Sequence, residues 1–566
     1  MCGIYCSVSL GSHNRCNKET QILLEARGPD SVQELSISIE ILDSRTAGSQ
    51  PVQIHIDVLS TVLALRGDHV VAQPLKDKQS QSFLCWNGEA WEQNDRVVAG
   101  SDSQHVFDLL LRACQSTPVS CKQNVVDALT SIAGPFAFVF YDASSRRLFF
   151  GRDKLGRRSL LSCNFSGGGM AFCSITDAPS SSWKEVETGA VHFLDLSDCF
   201  TTPEAIPWLM SDPRINDSLP DDLLPAPSIS PETVLELEER LLKSLRLRIA
   251  DIPALGNATN IRTFESAKIA VLFSGGLDCT LLARLAHGIL PLNEPVDLLN
   301  VAFENPRSMA AASKLSPPVC AYESCPDRKT GRSSHLELLR VCGGRAWRFI
   351  AIDVPFEESE SNHTTIVKLM APHNTEMDLS IAKAFYFAAR GQGQVIDHKT
   401  SENRPYWTRA RVLLSGLGAD ELFGGYTRHA TASARHGYRG LIGELNIDVQ
   451  RLGHRNLGRD DRVMSHWAKE VRYPYLDEDF MRWTLQLPVW EKCGFRPNGE
   501  AGLNEKDDTS VNLEPAKQAL RLLAWRLGME QAATEKKRAI QFGARTAKMQ
   551  PGTGQKRGTD IIDLIN

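Results

Sequence analysis

The sequence predicts two domains of different class: an α+β half dominated by sheet, then an α/β half built on a doubly wound, mostly parallel sheet. Three observations carry that reading. Short β-rich runs separated by turn residues fill residues 2–200, a stretch rich in Pro, Asp and Ser without apolar periodicity spans 201–231, and apolar strands alternate with helix-period segments over 232–566. With 566 residues, the chain has room for two large cores.

Within the first half, VLALRG, SFLCWNGE, GPFAFVFYD, RLFFGRD and AVHFLDL are rich in the β-branched and aromatic residues that fit a pleated surface. The stretch 201–231 reads as a linker. After it, PETVLELEERLLKSLRLRI spaces its leucines at helical intervals, and KIAVLF, VDLLNVAF, WRFIAIDV and RVLLSG follow as strands with helical segments between them. Such alternation builds parallel sheet. Residues 305–332 and 494–514 interrupt it and read as surface insertions or mobile loops.

Composition narrows the partners. A hydrophobic share of 42% against 23% charged belongs to a packed globular chain, not a disordered one. A formal charge of -5 leaves no basic surplus for a phosphate backbone, so no nucleic-acid partner is expected. No run approaches the roughly 18 apolar residues of a membrane span, and the first thirty residues lack the pattern of a signal peptide. The expectation is a soluble cytoplasmic protein without a membrane partner. Its 14 cysteines never show paired CxxC spacing and read as reduced thiols.

The opening MCGIYCSVSL places a cysteine directly behind the initiator methionine. Removal of Met1 would leave a thiol and an α-amine on one residue, and an amine of pKa near 8 can serve as the base for that thiol. Behind Cys2 come RGPD (Arg27 to Asp30), LALRG with Arg66, QP at Gln73, WNGE (Asn87 to Glu89), GSD ending at Asp102, and GRDKLGRRSL (Gly151 to Leu160). RGPD by itself is turn chemistry, and GRDKLG reads as scaffold. In this order, the motifs resemble the class II glutamine amidotransferases, specifically the glutaminase half of asparagine synthetases. The resemblance implies an N-terminal αββα sandwich of the Ntn type with Cys2 as nucleophile. It further implies that Asn87 and the Gly88 N–H form an oxyanion site, and that Arg66, Glu89 and Asp102 hold glutamine.

In the second half, KIAVLFSGGLDCTLLARLA runs from strand through a glycine turn into a helix, where backbone N–H groups make an anion site. It lacks the order and the lysine of a Walker A loop. SGGLD resembles the SGGxDS signature of ATP pyrophosphatases, with Cys279 in place of the usual serine. RVLLSGLGADELFGGYTRH resembles the SGxGADExFGGY run of asparagine synthetases, and EVRYPYLD resembles their ExRxPFLD. By that resemblance ATP lies against Leu272, Ser274, Gly275, Gly276, Asp278, Ser415 and Gly416, with Mg²⁺ on Asp278 and Asp420. Glutamine, aspartate and ATP would be the substrates, and a homodimer is implied by the family alone. The spelling of DLLNVAFENP, TEMDLSIAKAFYFAARG and RNLGRDDRV is closest to the asparagine synthetase domain-containing protein 1 branch.

Two departures from the family pattern matter. Leu417 stands where the family has a glutamate thought to accept a proton during amide formation, and leucine has no such chemistry. The late lysine is displaced in KKRAIQFGA, leaving Lys537 as a substitute. Three readings are therefore open: a glutamine-dependent synthetase of the asparagine type, a glutaminase whose second half is degenerate or serves another acid, and a noncatalytic sensor of glutamine and nucleotide.

Overall fold

The computed structural model describes residues 2–41, 51–115, 118–165, 168–177, 182–197, 202–208, 214–220, 228–253, 266–307, 309, 320–396, 402–454, 456–495, 513–547, 549 and 557–562. The N-terminal half is two six-stranded antiparallel sheets, face to face. One has Gly3–Leu10 between the strands Gly169–Cys173 and Val52–Val62; the other has Phe136–Asp142 between Phe83–Gly88 and Arg147–Arg152.

Alternation along the strands explains the layering. In Phe83–Gly88, Phe83 and Cys85 face Ile4 and Cys6 of the opposite sheet, while Leu84 and Trp86 face a helical layer. That layer is the hairpin of helices Asp102–Cys114 and Pro118–Thr130, which contributes Val106, Phe107 and Leu110 from its first helix. On the other outer face lies Lys18–Arg27, capped by the Asn17 side chain accepting from the Thr20 N–H at 2.7 Å. The order is helix, sheet, sheet, helix, as the sequence predicts.

The expected linker contains a strand. Glu204–Pro207 pairs with Ala190–Asp195 at the edge of the second sheet, and the adjacent Trp208 is buried with its indole N–H on the Thr188 carbonyl at 2.6 Å. Proline at the end of so short a run hides it, although edge strands tolerate proline well.

Helix Pro231–Ile249 opens the second half with Ser230 as cap, and Leu237, Leu241 and Leu245 form its buried stripe. The seven-stranded sheet behind it is ordered Asn403–Trp407, Gln392–Ile396, Trp347–Val354, Val296–Phe303, Ile269–Leu272, Val412–Leu414, Glu470–Arg472, and the last five are parallel. Chain order reverses at Ile269–Leu272. Ligand crevices of doubly wound sheets open at such a switch, outside the carboxyl ends of the strands. Both glycine-rich motifs follow the two strands that flank it.

Residues 305–332 are not wholly a surface insertion. Residues 308 and 310–319 lie outside the described residues, but helix Pro326–Val341 begins within the stretch and buries Arg328, whose guanidinium bonds Asn300 Oδ1 and Asp353 Oδ1, each at 2.7 Å. Of residues 494–514, 496–512 lie outside the described residues; Gly494 is half-buried and Phe495 buried. No described helix is long and apolar enough to cross a membrane.

Candidate active sites

Cys2 immediately precedes the strand Gly3–Leu10 and is buried, with the next residue, Gly3, fixed by its N–H donating to the Thr61 hydroxyl at 3.0 Å. Burial raises its thiol pKa. A small cavity joins Cys2 to Arg66, Gln73, Gly88, Glu89 and Asp102. Gln73 organises its wall, accepting from the Trp86 N–H at 2.6 Å and lying 3.9 Å from Cys2 Sγ.

Asn87 follows Phe83 and Cys85 on the face turned toward the Cys2-bearing sheet. Fully buried, its side-chain amide has no hydrogen-bond partner on either atom among the described residues. A buried amide left unmatched costs about 1–3 kcal/mol, so its place in the fold suits a group that gains partners only with ligand present. Gly88 is fixed by packing rather than by ligand approach alone: a Cβ there would lie 2.4 Å from the Pro135 carbonyl oxygen.

The charged groups are tied down. Asp102 starts its helix and accepts from the Ala90 N–H at 2.9 Å, the Ser103 N–H at 2.8 Å and the Trp86 indole at 3.3 Å, with burial pushing its carboxyl up. Arg66 donates to the carbonyls of Ala90 and Val98 and stands 3.6 Å from Glu89. On its other side Glu89 meets Arg472, at 3.0 Å, and Arg472 also holds Glu470 at 2.6 Å. Burial and the Glu470 charge push Glu89 up to about 8; Glu470, despite burial, is held at about 2 by Arg472 and Arg158. Glu470 itself lines the Cys2 cavity. The second half of the chain thus completes the wall of the first site.

At the switch point a cavity of about 160 Å³ is lined by Leu272, Ser274, Gly276, Asp278, Ser415 and Gly416, together with Leu299, Val301, Asp327 and Arg538. Gly275 lies behind it at φ +79°, where a Cβ would sit 2.4 Å from the Gly331 nitrogen. Gly276 caps helix Leu277–His287 without a side-chain bond, which leaves the N–H groups of the first turn available. Cys279, in the first turn, donates its thiol to the Gly276 carbonyl at 3.3 Å.

Asp278 and Asp420 face one another across Lys517, whose ammonium lies 2.8 Å from the first and 2.9 Å from the second. Lys537 reaches Asp420 at 2.6 Å and stacks over Tyr426. Burial pushes Asp278 up against the pull of Lys517, whereas the two lysines outweigh burial and hold Asp420 well below its usual range. Two carboxylates beside an anion-binding turn are the hard oxygen donors that Mg²⁺ takes alongside phosphates, so the residues fit that ion. Leu417 is half-buried and packed on the apolar core. Sequence reasoning missed Lys517, Asp327 and Arg538. The signal for Lys517 was a lone lysine at the head of the apolar run KQALRLLA; nothing local marks the other two.

The comparisons bear on both halves of the chain. A glutamine amidotransferase domain model matches residues 61–178, and an asparagine synthase model matches 407–443 and 437–494. Asparagine synthetase domain-containing protein 1 of Bos taurus is 32% identical over 97% of this chain and 96% of its own length. The chain belongs to the asparagine synthetase domain-containing protein 1 family. Asparagine synthetase domain-containing protein YML096W of Saccharomyces cerevisiae is 32% identical over 90% of this chain and 86% of its own. The likeness to asparagine synthetase [glutamine-hydrolyzing] 1 of the same yeast is lower, at 23% over 76% of this chain and 68% of that one. The asparagine synthetase domain-containing protein 1 family therefore accounts for both halves and for the order in which they stand.

Proposed function

We propose that this chain is a glutamine-dependent amidotransferase with a glutaminase domain over residues 2–200, extended by the strand Glu204–Pro207, and an ATP-using domain over 232–566. Once Met1 is removed, the Cys2 amine takes the thiol proton, and the thiolate attacks the glutamine carboxamide. Asn87 and the Gly88 N–H stabilise the oxyanion, while Arg66 holds the α-carboxylate and Glu89 and Asp102 the ammonium. Water then releases glutamate, and ammonia is left for the second site.

There, the first turn of helix Leu277–His287 and Ser415–Gly416 hold ATP. Asp278 and Asp420 would hold Mg²⁺, which neutralises phosphate charge as pyrophosphate leaves. Lys517 and Lys537 place two further positive charges where the phosphates would lie. A carboxylate, aspartate in this reading, attacks the α-phosphorus to give an acyl adenylate, and ammonia displaces AMP to give asparagine. The observation that carries the reading is Arg472, which reaches from the strand beside the ATP cavity to Glu89 in the Cys2 cavity. It favours one coupled enzyme over two independent ones.

Glutamine alone should yield glutamate, and Cys2→Ala should abolish it. With ATP, Mg²⁺ and aspartate added, AMP, pyrophosphate and asparagine should appear in equal amounts. Absence of AMP when ammonium replaces glutamine would overturn the synthetic half. A second reading, a glutaminase serving another acid, is favoured by Leu417 alone. A gain in asparagine of about 10²–10⁴ in Leu417→Glu would assign the difference to a missing proton acceptor.

A further inference from the structure

The hairpin Asp102–Cys114 and Pro118–Thr130 covers the outer face of the second sheet, away from Cys2. Cys114 ends its first helix and Cys121 lies in the first turn of its second, with the two Sγ atoms 3.1 Å apart. That is roughly 1 Å longer than the ~2.05 Å of a disulfide. Small motion closes the gap.

The surroundings favour exchange chemistry. Cys114 is half-buried, so a small oxidant can reach it, whereas Cys121 is buried behind it. The hydrogen bond with Cys114 draws the Cys121 thiol below its ordinary value against burial and Asp142, with Arg147 adding to the effect, while the same bond and burial push the Cys114 thiol up. Cys121, beside the more accessible sulfur of Cys114, is therefore the readier nucleophile of the pair.

A metal fits less well. Cys114, Cys121 and Asp142 do bring three donor atoms within 4.8 Å of one another. However, Asp142 already accepts from the Ser144 N–H and hydroxyl at 3.2 and 2.8 Å on Oδ1, and from the Ser145 N–H and hydroxyl at 3.3 and 2.5 Å on Oδ2. With its oxygens occupied, two sulfurs are left, short of the three or four protein ligands that zinc takes.

We propose that Cys114 and Cys121 form a reversible disulfide, a modification site that takes a low-molecular-weight disulfide such as glutathione disulfide as oxidant. The Cys114 sulfur, the one a small oxidant reaches, attacks one glutathione sulfur as its proton passes to the departing glutathione thiolate, leaving a mixed disulfide. The Cys121 thiolate then attacks the Cys114 sulfur and expels the second. The two cysteine protons pass to the two glutathiones, so the protein loses two hydrogens and two electrons reduce the oxidant. The bond would staple the far end of the helix whose first residue, Asp102, lines the Cys2 cavity.

Trypsin cuts after Arg112 and Lys122, so both cysteines fall in one peptide, residues 113–122. The folded full-length chain is equilibrated in glutathione buffers from fully reduced to fully oxidised, acid-quenched, alkylated and digested. The expected result is that this peptide becomes two hydrogens lighter and refuses the alkylating reagent, while the peptides of Cys325 and Cys342 still accept it. Dithiothreitol should reverse the change. Failure to form the bond in glutathione disulfide alone would overturn the proposal, as would a stable glutathione adduct at Cys114 or stoichiometric zinc that Cys121→Ser removes. In Cys114→Ser, Cys121 should stay a free thiol; its pairing with any other cysteine would equally overturn it.

Discussion

Lys492 is the residue whose environment is least expected from its type. It is fully buried, its ammonium has no hydrogen-bond partner among the described residues, and burial lowers its pKa to about 7. Its ordinary value is 10.5, so between about pH 7 and 10.5 the unfolded chain binds more protons than the folded one. Stability therefore rises with pH across that window, and the penalty is fully present below it. Lys492→Met should raise the unfolding free energy, read from urea titration, by on the order of 4 kcal/mol at pH 7, with the gain shrinking to nothing near pH 10.5. A variant destabilised at both ends of that range would overturn this account. Nothing in WEKCGF marks such a lysine.

At the scale of elements, legibility followed periodicity. The strands Phe83–Gly88 and Val296–Phe303 are plain in the sequence because apolar residues dominate both faces. Helix Pro326–Val341 is not, because its buried face carries Arg328, Thr330, Ser334, His335 and Glu337, which read as solvent-facing. That helix nonetheless sets the shape of the switch-point cavity, since Gly331 packs against Gly275. Gly275→Ala would combine a left-handed φ with a Cβ driven into backbone, about 2–4 kcal/mol together. Gly276 has ordinary φ -68° and meets only the Ser274 hydroxyl at 3.4 Å. Gly275→Ala should therefore lose ATP binding, measured by calorimetry, and lower the unfolding midpoint, while Gly276→Ala should unfold with the parent. Equal midpoints for the two would show that the contact with Gly331 does not matter.

At the scale of the molecule, the motifs visible in the first half prove to be largely the seam between the halves. Arg27 of RGPD bonds Asp461 at 2.9 Å, and Asp30 of the same motif takes Arg411 at 2.6 Å. Arg157 and Arg158 of GRDKLGRRSL donate to the Leu476 and Val471 carbonyls at 2.8 and 3.1 Å. One sequence displays such residues but not which distant ones they meet, so their turn and scaffold readings were as far as local chemistry reaches. Arg472 tests what the seam does. Its carbonyl accepts from the Ser415 N–H at 3.0 Å whatever its side chain, so substitution spares the backbone of the loop after Val412–Leu414. Arg472→Met leaves Glu89 and Glu470 facing each other with Arg66 and Arg158 as the nearest cations, and removing one member of a buried ionic cluster costs about 3–5 kcal/mol. Glutamine hydrolysis should fall by at least about tenfold in kcat/KM, while AMP release driven by ammonium should change by less than that, the equivalent of ~1.4 kcal/mol. Equal loss with both nitrogen sources would mean that Arg472 holds the halves together without serving the glutamine site. The double change Arg472→Met with Glu89→Gln separates the remaining possibility: recovery of the unfolding midpoint without recovery of glutamine hydrolysis would trace the single variant's instability to an unpaired buried carboxylate.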